Sequence, residues 1–520
     1  MTLIESQICR RGLLLIMGLI LPALLTAPAW AQDHTPQTPD SQQMQRRLDA
    51  LENEIRELKQ QINTQQTKAQ QTNTPAELPP ANRQPSEGNV PSPSDQETKQ
   101  LEQVSIRRTI DRPTTFETQQ SAPTVNVVVT QETRAAEEEV ELPKEKKGTF
   151  DIYGFIMLDS GYNFGQIDPD WFDVMRPTKL PAFENEFAPS GNVFFSVRQT
   201  RFGVKTSNPT SLGDLKTWFE FELFGTGVDA GQTTFRLRQA YGELGQFGAG
   251  QTWSPFMDID VFPNSIEYWG PNGMVFFRNV QFRWMPIKGD SRLTFAAERP
   301  GASADQGTYS GRIELQGVKS EFTLPDLSME GRLARKWGYI EGAAIFRKIS
   351  WEDLNKTPTR DLGDTVYGWG INVSSNLKFT KKDTGRFQFV YGHGIENYMN
   401  DAPVDVGIKN NFSNPRKPIV GVPLPVLGVV AFVDHTWSER FSSTIGYSFE
   451  NISNSDAQLP SAFHQGDYAL TNLLYYPWKN VMMGGEFQFG RRVNFNDGWN
   501  YNDYKIQFSA RYNFSKTLVY

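Results

Sequence analysis

From residue 506 to residue 514 the chain reads "IQFSARYNF", apolar at every even position and polar at every odd one. Side chains alternate across a strand, so a period of two marks an extended segment with two unlike faces. The pattern recurs in sixteen segments: 150–160, 192–205, 215–224, 233–244, 247–253, 275–284, 291–299, 329–336, 339–350, 367–379, 386–393, 426–435, 441–451, 468–476, 481–491 and 504–514. The expected fold is all-β, an antiparallel transmembrane β-barrel of about 16 strands over residues 148–520. The connections support it. The first ("GYNFGQIDPDWFDVMRPTKLPAFENEFAPSG") is long and the second ("TSNPTSLG") is short. Later, "PIKGD" and "WG" fall between long neighbours. Long loops on one rim and tight turns on the other are the rhythm of an outer-membrane meander.

Two solvents explain the two faces. Phe219, Phe221 and Leu223 alternate with Glu220 and Glu222; Val280, Phe282 and Trp284 with Gln281 and Arg283; Ile445, Tyr447 and Phe449 with Thr444, Ser448 and Glu450. Charges repeated at mid-strand are costly in a dry core, and an arginine on the lipid face costs roughly 2–4 kcal/mol at the midplane. Water inside and lipid outside suits both sets, and closure satisfies every backbone polar group. Tyr468, Tyr476, Trp478 and Tyr512, at strand ends, are candidates for the interfacial girdles. The chain ends "NFSKTLVY", and either Phe514 or Tyr520 closes the last strand.

Three segments precede the barrel. Residues 1–31 read as a secretory signal peptide: Arg10 and Arg11, an apolar run, and "AWA" before Gln32. The single cysteine, Cys9, lies within it, so disulfides do not staple the mature chain. Residues 32–62 carry Met44, Leu48, Leu51, Ile55, Leu58 and Ile62 at heptad spacing, a short periplasmic coiled coil. Isoleucine at a with leucine at d favours dimers, whereas Arg47, Leu48, Leu51 and Glu52 form an R-h-x-x-h-E pattern of trimeric coiled coils. A single unpartnered helix is the plain alternative. Residues 63–147, rich in Gln, Thr, Pro, Ser and Glu, read as a flexible linker.

Sixteen strands leave room for an aqueous channel, so function depends on what narrows it. The third long connection ("SPFMDIDVFPNSIEYWGPNGM") is too apolar for water. Folded into the lumen, it would set Asp258, Asp260 and Glu267 along one side of an eyelet; packed on a neighbouring subunit, it would not. Arginines supply the other side. Arg236 and Arg238 share one phase of "TTFRLRQAYGEL", and Arg283 and Arg292 share the inward phase of adjacent strands. Arg198 and Arg201 lie in opposite phases, so both face inward only if a bulge intervenes. The planar guanidinium fork binds carboxylates in pairs of bonds, but Glu220, Glu222, Glu298, Glu450 and Glu486 share the lumen and offset part of that charge.

The stretches "NVFFSVRQTRFGVKT", "TTFRLRQAYGELGQFGAGQTWSPFMD", "YWGPNGMVFFRNVQFRW" and "NLLYYPWKNVMMGGEFQFGRRVN" resemble the DcaP family of outer-membrane porins. The resemblance spans most of residues 148–520 and implies a homotrimeric barrel passing dicarboxylates and related small anions. It carries Arg198, Arg201, Arg236, Arg238 and Arg283 over as constriction residues. Expected partners are outer-membrane lipid and lipopolysaccharide, small anionic solutes, and cell-wall or periplasmic contacts through the coiled coil.

The four histidines, His34, His393, His435 and His464, show neither metal spacing nor a nucleophile motif, so neither an enzyme nor a cofactor is expected. Nucleic-acid motifs are absent as well. Asp434 and His435 adjoin at a turn and are read as backbone-bonding. The alternative functions are a carbohydrate or general porin, favoured if Tyr153, Trp218 and Trp369 line the lumen, and a structural tether anchored by the barrel.

Overall fold

A computed structural model describes residues 147–520. The signal peptide, the linker and the heptads with Arg47, Leu48, Leu51, Glu52, Ile55, Leu58 and Ile62 lie outside the described residues. The strands run β1 Thr149–Asn163, β2 Asn192–Ser196, β3 Arg201–Thr210, β4 Gly213–Phe224, β5 Thr233–Leu244, β6 Phe247–Trp253 and β7 Arg278–Ile287. Then come β8 Arg292–Glu298, β9 Val318–Glu321, β10 Asp326–Arg335, β11 Gly338–Asp353, β12 Asp364–Lys378 and β13 Asp383–His393. The series closes with β14 Val406–Asn410, β15 Ile419–Pro423, β16 Pro425–Ser438, β17 Phe441–Ile452, β18 Phe463–Tyr475, β19 Val481–Asn494 and β20 Asn500–Val519.

β14 and β15 pair with each other as a hairpin within an outer loop, while the other eighteen strands share one sheet. β2 and β3 both pair with β1, and β9 and β10 both pair with β11, so each couple is one interrupted span. Eighteen strands less these two interruptions gives sixteen spans, each at a place its alternating segment marks. The seam is β1 against β20, antiparallel from Thr149 opposite Val519 to Asn163 opposite Lys505. Gly148 N–H donates to the Tyr520 carbonyl at 3.0 Å and Tyr520 N–H donates back at 3.1 Å, so Tyr520, not Phe514, closes the last strand.

The period-two pattern sorts the faces. Ile156, Leu158, Phe195, Phe219, Phe282, Ile445 and Phe508 are exposed on the outside, where apolar side chains are stable only against hydrocarbon. Trp478 and Tyr512 are exposed with them. Tyr468 and Tyr476 depart from the girdle expectation because both fall in the inward phase. The Tyr468 hydroxyl reaches Glu267 at 3.3 Å, and that of Tyr476 lies 3.1 Å from Ser442 Oγ. Asp434 and His435 are likewise split by the alternation: Asp434 binds Arg386, and His435 Nδ1 meets Asp383.

Inside the barrel the long loops build a core of their own. Trp171, Val174 and Met175 from residues 164–191 pack with Phe256, Val261, Phe262 and Trp269 from residues 254–277, and with Tyr398 and Met399 after β13. Arg176 ties the three together. Its guanidinium carbon lies 4.1 Å from the Trp171 ring centre and 3.8 Å from that of Trp269, while Nε donates to Asp401 at 2.8 Å. A cation between two indoles in a water-poor place is worth more than the same contact in solvent.

Candidate functional site in the lumen

Residues 254–277 fold inward and travel around the inner wall. Ser254 Oγ donates to Glu298 on β8 at 2.6 Å, and the Phe256 carbonyl accepts from Asn372 on β12 at 2.8 Å. Asn264 N–H donates to Asp434 on β16, and its carbonyl accepts from Asn472 on β18 at 2.8 Å. Ile266 N–H donates to Glu486 on β19 at 3.0 Å, and its carbonyl accepts from Gln507 on β20 at 3.1 Å. The Tyr268 hydroxyl ends the circuit on Glu222 of β4. An apolar loop rich in Phe, Trp and Ile buries its side chains this way, and polar inward positions of the wall satisfy its backbone.

Of the arginines named from the sequence, Arg201 and Arg238 join one buried ion cluster and Arg292 joins another. On β3–β7, Arg238 pairs with Glu220 at 2.7 Å and with Glu222, Arg201 lies 3.3 Å from Glu222, and Arg278 lies 3.8 Å from it. Arg198 pairs with Asp173 at 2.7 Å and donates to the Gly225 carbonyl. Arg198 and Arg201 both face inward because a turn at residues 197–200, with Thr200 N–H bonded to the Val197 carbonyl at 2.9 Å, breaks the alternation between β2 and β3. Arg238 sits at a second irregularity, where the β4–β5 register skips from Gln239 to Leu237. Arg236, two residues away, is half-buried in the same phase.

The other cluster joins the loop to β8–β11. Arg332 grips Asp258 at 2.6 Å, Asp260 and Glu341 at 2.5 Å, and stacks 3.8 Å from the Tyr339 ring centre. Arg292 pairs with Glu330 at 3.0 Å and Glu341 at 2.8 Å. Asp258 also accepts from Tyr339 and Ser374, both at 2.6 Å. Burial, opposed by Arg332, holds its carboxyl above the usual range. Asp260 keeps a side chain 41% exposed. The two aspartates therefore touch the β10–β13 wall rather than opposing the arginines of β2–β7. Sequence reasoning missed Arg332, Glu330 and Glu341, although all three are inward-phase charges on strands it had placed.

Glu267 stands apart from both clusters. It is buried, accepts the backbone N–H of Met175 at 3.1 Å and that of Gly270, and faces Glu486. Burial pushes its carboxyl up to about 7, with Glu486 adding to the rise. A carboxyl raised on folding binds its proton more tightly in the folded state, so its contribution is full below its unfolded value and is lost as pH rises through about 7. Wild type should therefore lose stability relative to Glu267→Gln between pH 5 and pH 8. The check is the temperature at which the folded gel band disappears for each protein; parallel pH profiles would refute the assignment.

A cavity of about 330 Å³ lies between the underside of this loop and the β6–β8 wall. Trp253, Met257 and Met285 are among its apolar lining, and Arg283, Lys288 and Arg292 line it with the carboxylates Asp260 and Glu330. Arg292 and Lys288 have carboxylate partners in Glu330 and Glu243. Arg283 bonds Gln281 Oε1 through Nε and Nη2 and the Trp253 carbonyl through Nη2; it makes no ion pair among the described residues, and the carboxylate that feels its charge, Glu298, is bonded to Ser254 and Ser328.

A closed barrel with an apolar outside, a charged inside and an inward-folded third outer loop defines an outer-membrane porin. The chain belongs to the DcaP outer membrane protein family, whose model matches residues 132–514. Among solved structures, it is similar to the outer membrane channel DcaP of Acinetobacter baumannii, at 20% identity over 71% of this chain and 97% of that one, with a TM-score of 0.59. It is also similar to the anion-selective porin of Comamonas acidovorans, at 9% identity over 71% and 100% of the two chains, TM-score 0.46. No curated protein sequence matches it.

Proposed function

We propose that this porin gives passive diffusion of small solutes across the outer membrane with a preference for anions, dicarboxylates being the class that the family resemblance implies. Arg283 is the observation that carries this reading. A luminal guanidinium that makes no ion pair among the described residues keeps a field that draws small anions. The paired arginines, Arg198, Arg201, Arg238 and Arg292, act first as counter-ions of the wall. Of the aromatics that a carbohydrate pore would need in the lumen, Trp369 is exposed on the outside, while Tyr153 and Trp218 face inward and bond to each other. The inward pair alone makes a shorter stacking track than the alternative requires.

The same proposal takes the protein as a homotrimer in lipid and lipopolysaccharide, with the coiled coil on the periplasmic side. Planar-bilayer recording tests it. Across a tenfold KCl gradient the reversal potential should take the anion-selective sign, conductance should rise in three equal steps, and Arg283→Gln should move the potential toward zero. A cation-selective wild type would overturn the reading, and absence of solute flux in vesicles would favour the tether.

A further inference from the structure

The cavity beside Arg283 is not shaped for a small dianion. Half of its wall is apolar: Trp253, Met257 and Met285 sit beside Pro255, Ile259 and Ile287. Arg283, Lys288 and Arg292 line it together with the carboxylates Asp260 and Glu330, and of the three cations only Arg283 makes no ion pair among the described residues. A dicarboxylate would have to seat its second charge against methionine and indole, at a desolvation cost that nothing in that wall returns. A solute with one carboxylate and a flat apolar body meets no such cost. Its head pairs with the guanidinium in a charge-assisted bond, its ring lies against the Trp253 indole and the thioethers, and about 330 Å³ suits a ligand of two fused rings.

The indole is well placed for this. Trp253 packs edge-on against Trp218, with ring centres 4.9 Å apart and planes at 72°. Its Nε1 has no hydrogen-bond partner in the structure. The carbonyl of the same tryptophan already holds Arg283 Nη2, so cation and indole are fixed to each other as one recognition element. The cavity also borders the short turn that carries Lys288 and Gly289, which connects β7 to β8.

From this geometry we infer that the cavity under the third outer loop is a solute subsite for aryl monocarboxylates, with Arg283 binding the carboxylate and Trp253 with Met257 and Met285 binding the ring. The inference rests on the anion-preferring reading above and names the solute class of that lumen.

Single-channel current through the full-length porin tests it, with 2-naphthoate as the probe, succinate as the dianion and 2-naphthamide as the uncharged isostere. Naphthoate should interrupt the current at concentrations about tenfold lower than either comparison compound. Arg283→Gln should raise the naphthoate concentration needed by about tenfold, and Trp253→Phe should weaken naphthoate block several-fold while leaving succinate block unchanged. Equal block by succinate and naphthoate, or loss of block by both in Trp253→Phe, would overturn the subsite. Met285→Ala gives a second variant on another strand should Trp253→Phe fail to fold, with the same split expected. Reversal potentials recorded on the same bilayers separate the two claims. Anion selectivity without naphthoate discrimination removes the subsite alone, whereas a cation-selective wild type removes the anion-preferring reading and the subsite with it.

Discussion

Glu222→Gln should destabilise the barrel by about 3–5 kcal/mol, the usual effect of removing one partner from a buried ion cluster. Glu222 is fully buried and serves three arginines: Arg238 at 2.5 Å, Arg201 at 3.3 Å and Arg278 at 3.8 Å. It also accepts the Tyr268 hydroxyl, which anchors the returning limb of the third loop to β4. The amide keeps the shape and removes the charge, so Arg238 and Arg201 are left sharing Glu220, at 2.7 and 3.9 Å. Urea unfolding in lipid vesicles, or the temperature at which the folded gel band disappears, reads the change. Glu352→Gln is the control. Its partner Lys356 is 57% exposed at 3.2 Å, and an exposed pair contributes about 0.5 kcal/mol or less. Equal effects of the two substitutions would mean that the β3–β7 cluster is wetter than its geometry implies.

Arg332→Ala should change what the pore passes. Arg332 is the common partner of Asp258, Asp260 and Glu341, and its loss leaves Glu341 paired with Arg292 alone among the described residues. The aspartates lie on the loop and the glutamate on the wall, so the substitution both unpins the loop from β10–β11 and exposes negative charge beside the passage. Both effects favour cations. The potassium-to-chloride permeability ratio should rise about threefold or more, most clearly at low ionic strength where the field is least screened. Noisier open-channel current is the expected sign of the released loop. Arg332→Lys should recover charge but not the three-way grip, because an ammonium lacks the planar fork. An unchanged permeability ratio in Arg332→Ala would show that these carboxylates stay out of the ion path.

The barrel was legible because its signal is collective. Each strand is weak evidence, but sixteen alternating segments joined by loops of unequal length admit few other folds. What escaped were the places where alternation fails. Arg198 and Arg201 cannot both be inward by counting residues, and only the turn at 197–200 brings them to one side. Tyr468 reads as a membrane-interface aromatic because tyrosine favours that depth, yet its phase carries it to Glu267. Charge partnership was hidden for a different reason. Arg332 meets Asp258 across 74 residues of sequence, and a loop that crosses the lumen chooses its contacts by reach, not by order in the chain. Arg283 and Arg332 look alike as inward arginines on strands, and they are told apart by the carboxylates that the loop and β11 bring to Arg332.

The seam between β1 and β20 joins residues near opposite ends of the described chain, from Thr149 with Val519 to Asn163 with Lys505. The ring is closed only once that seam has formed. Before then a nascent chain presents two long, unpaired edges in water, each a template for pairing with the wrong molecule. The bonds between Gly148 and Tyr520 extend the seam beyond Thr149 and Val519, so shortening β20 at that end would leave the facing edge of β1 unpaired and open to a foreign strand.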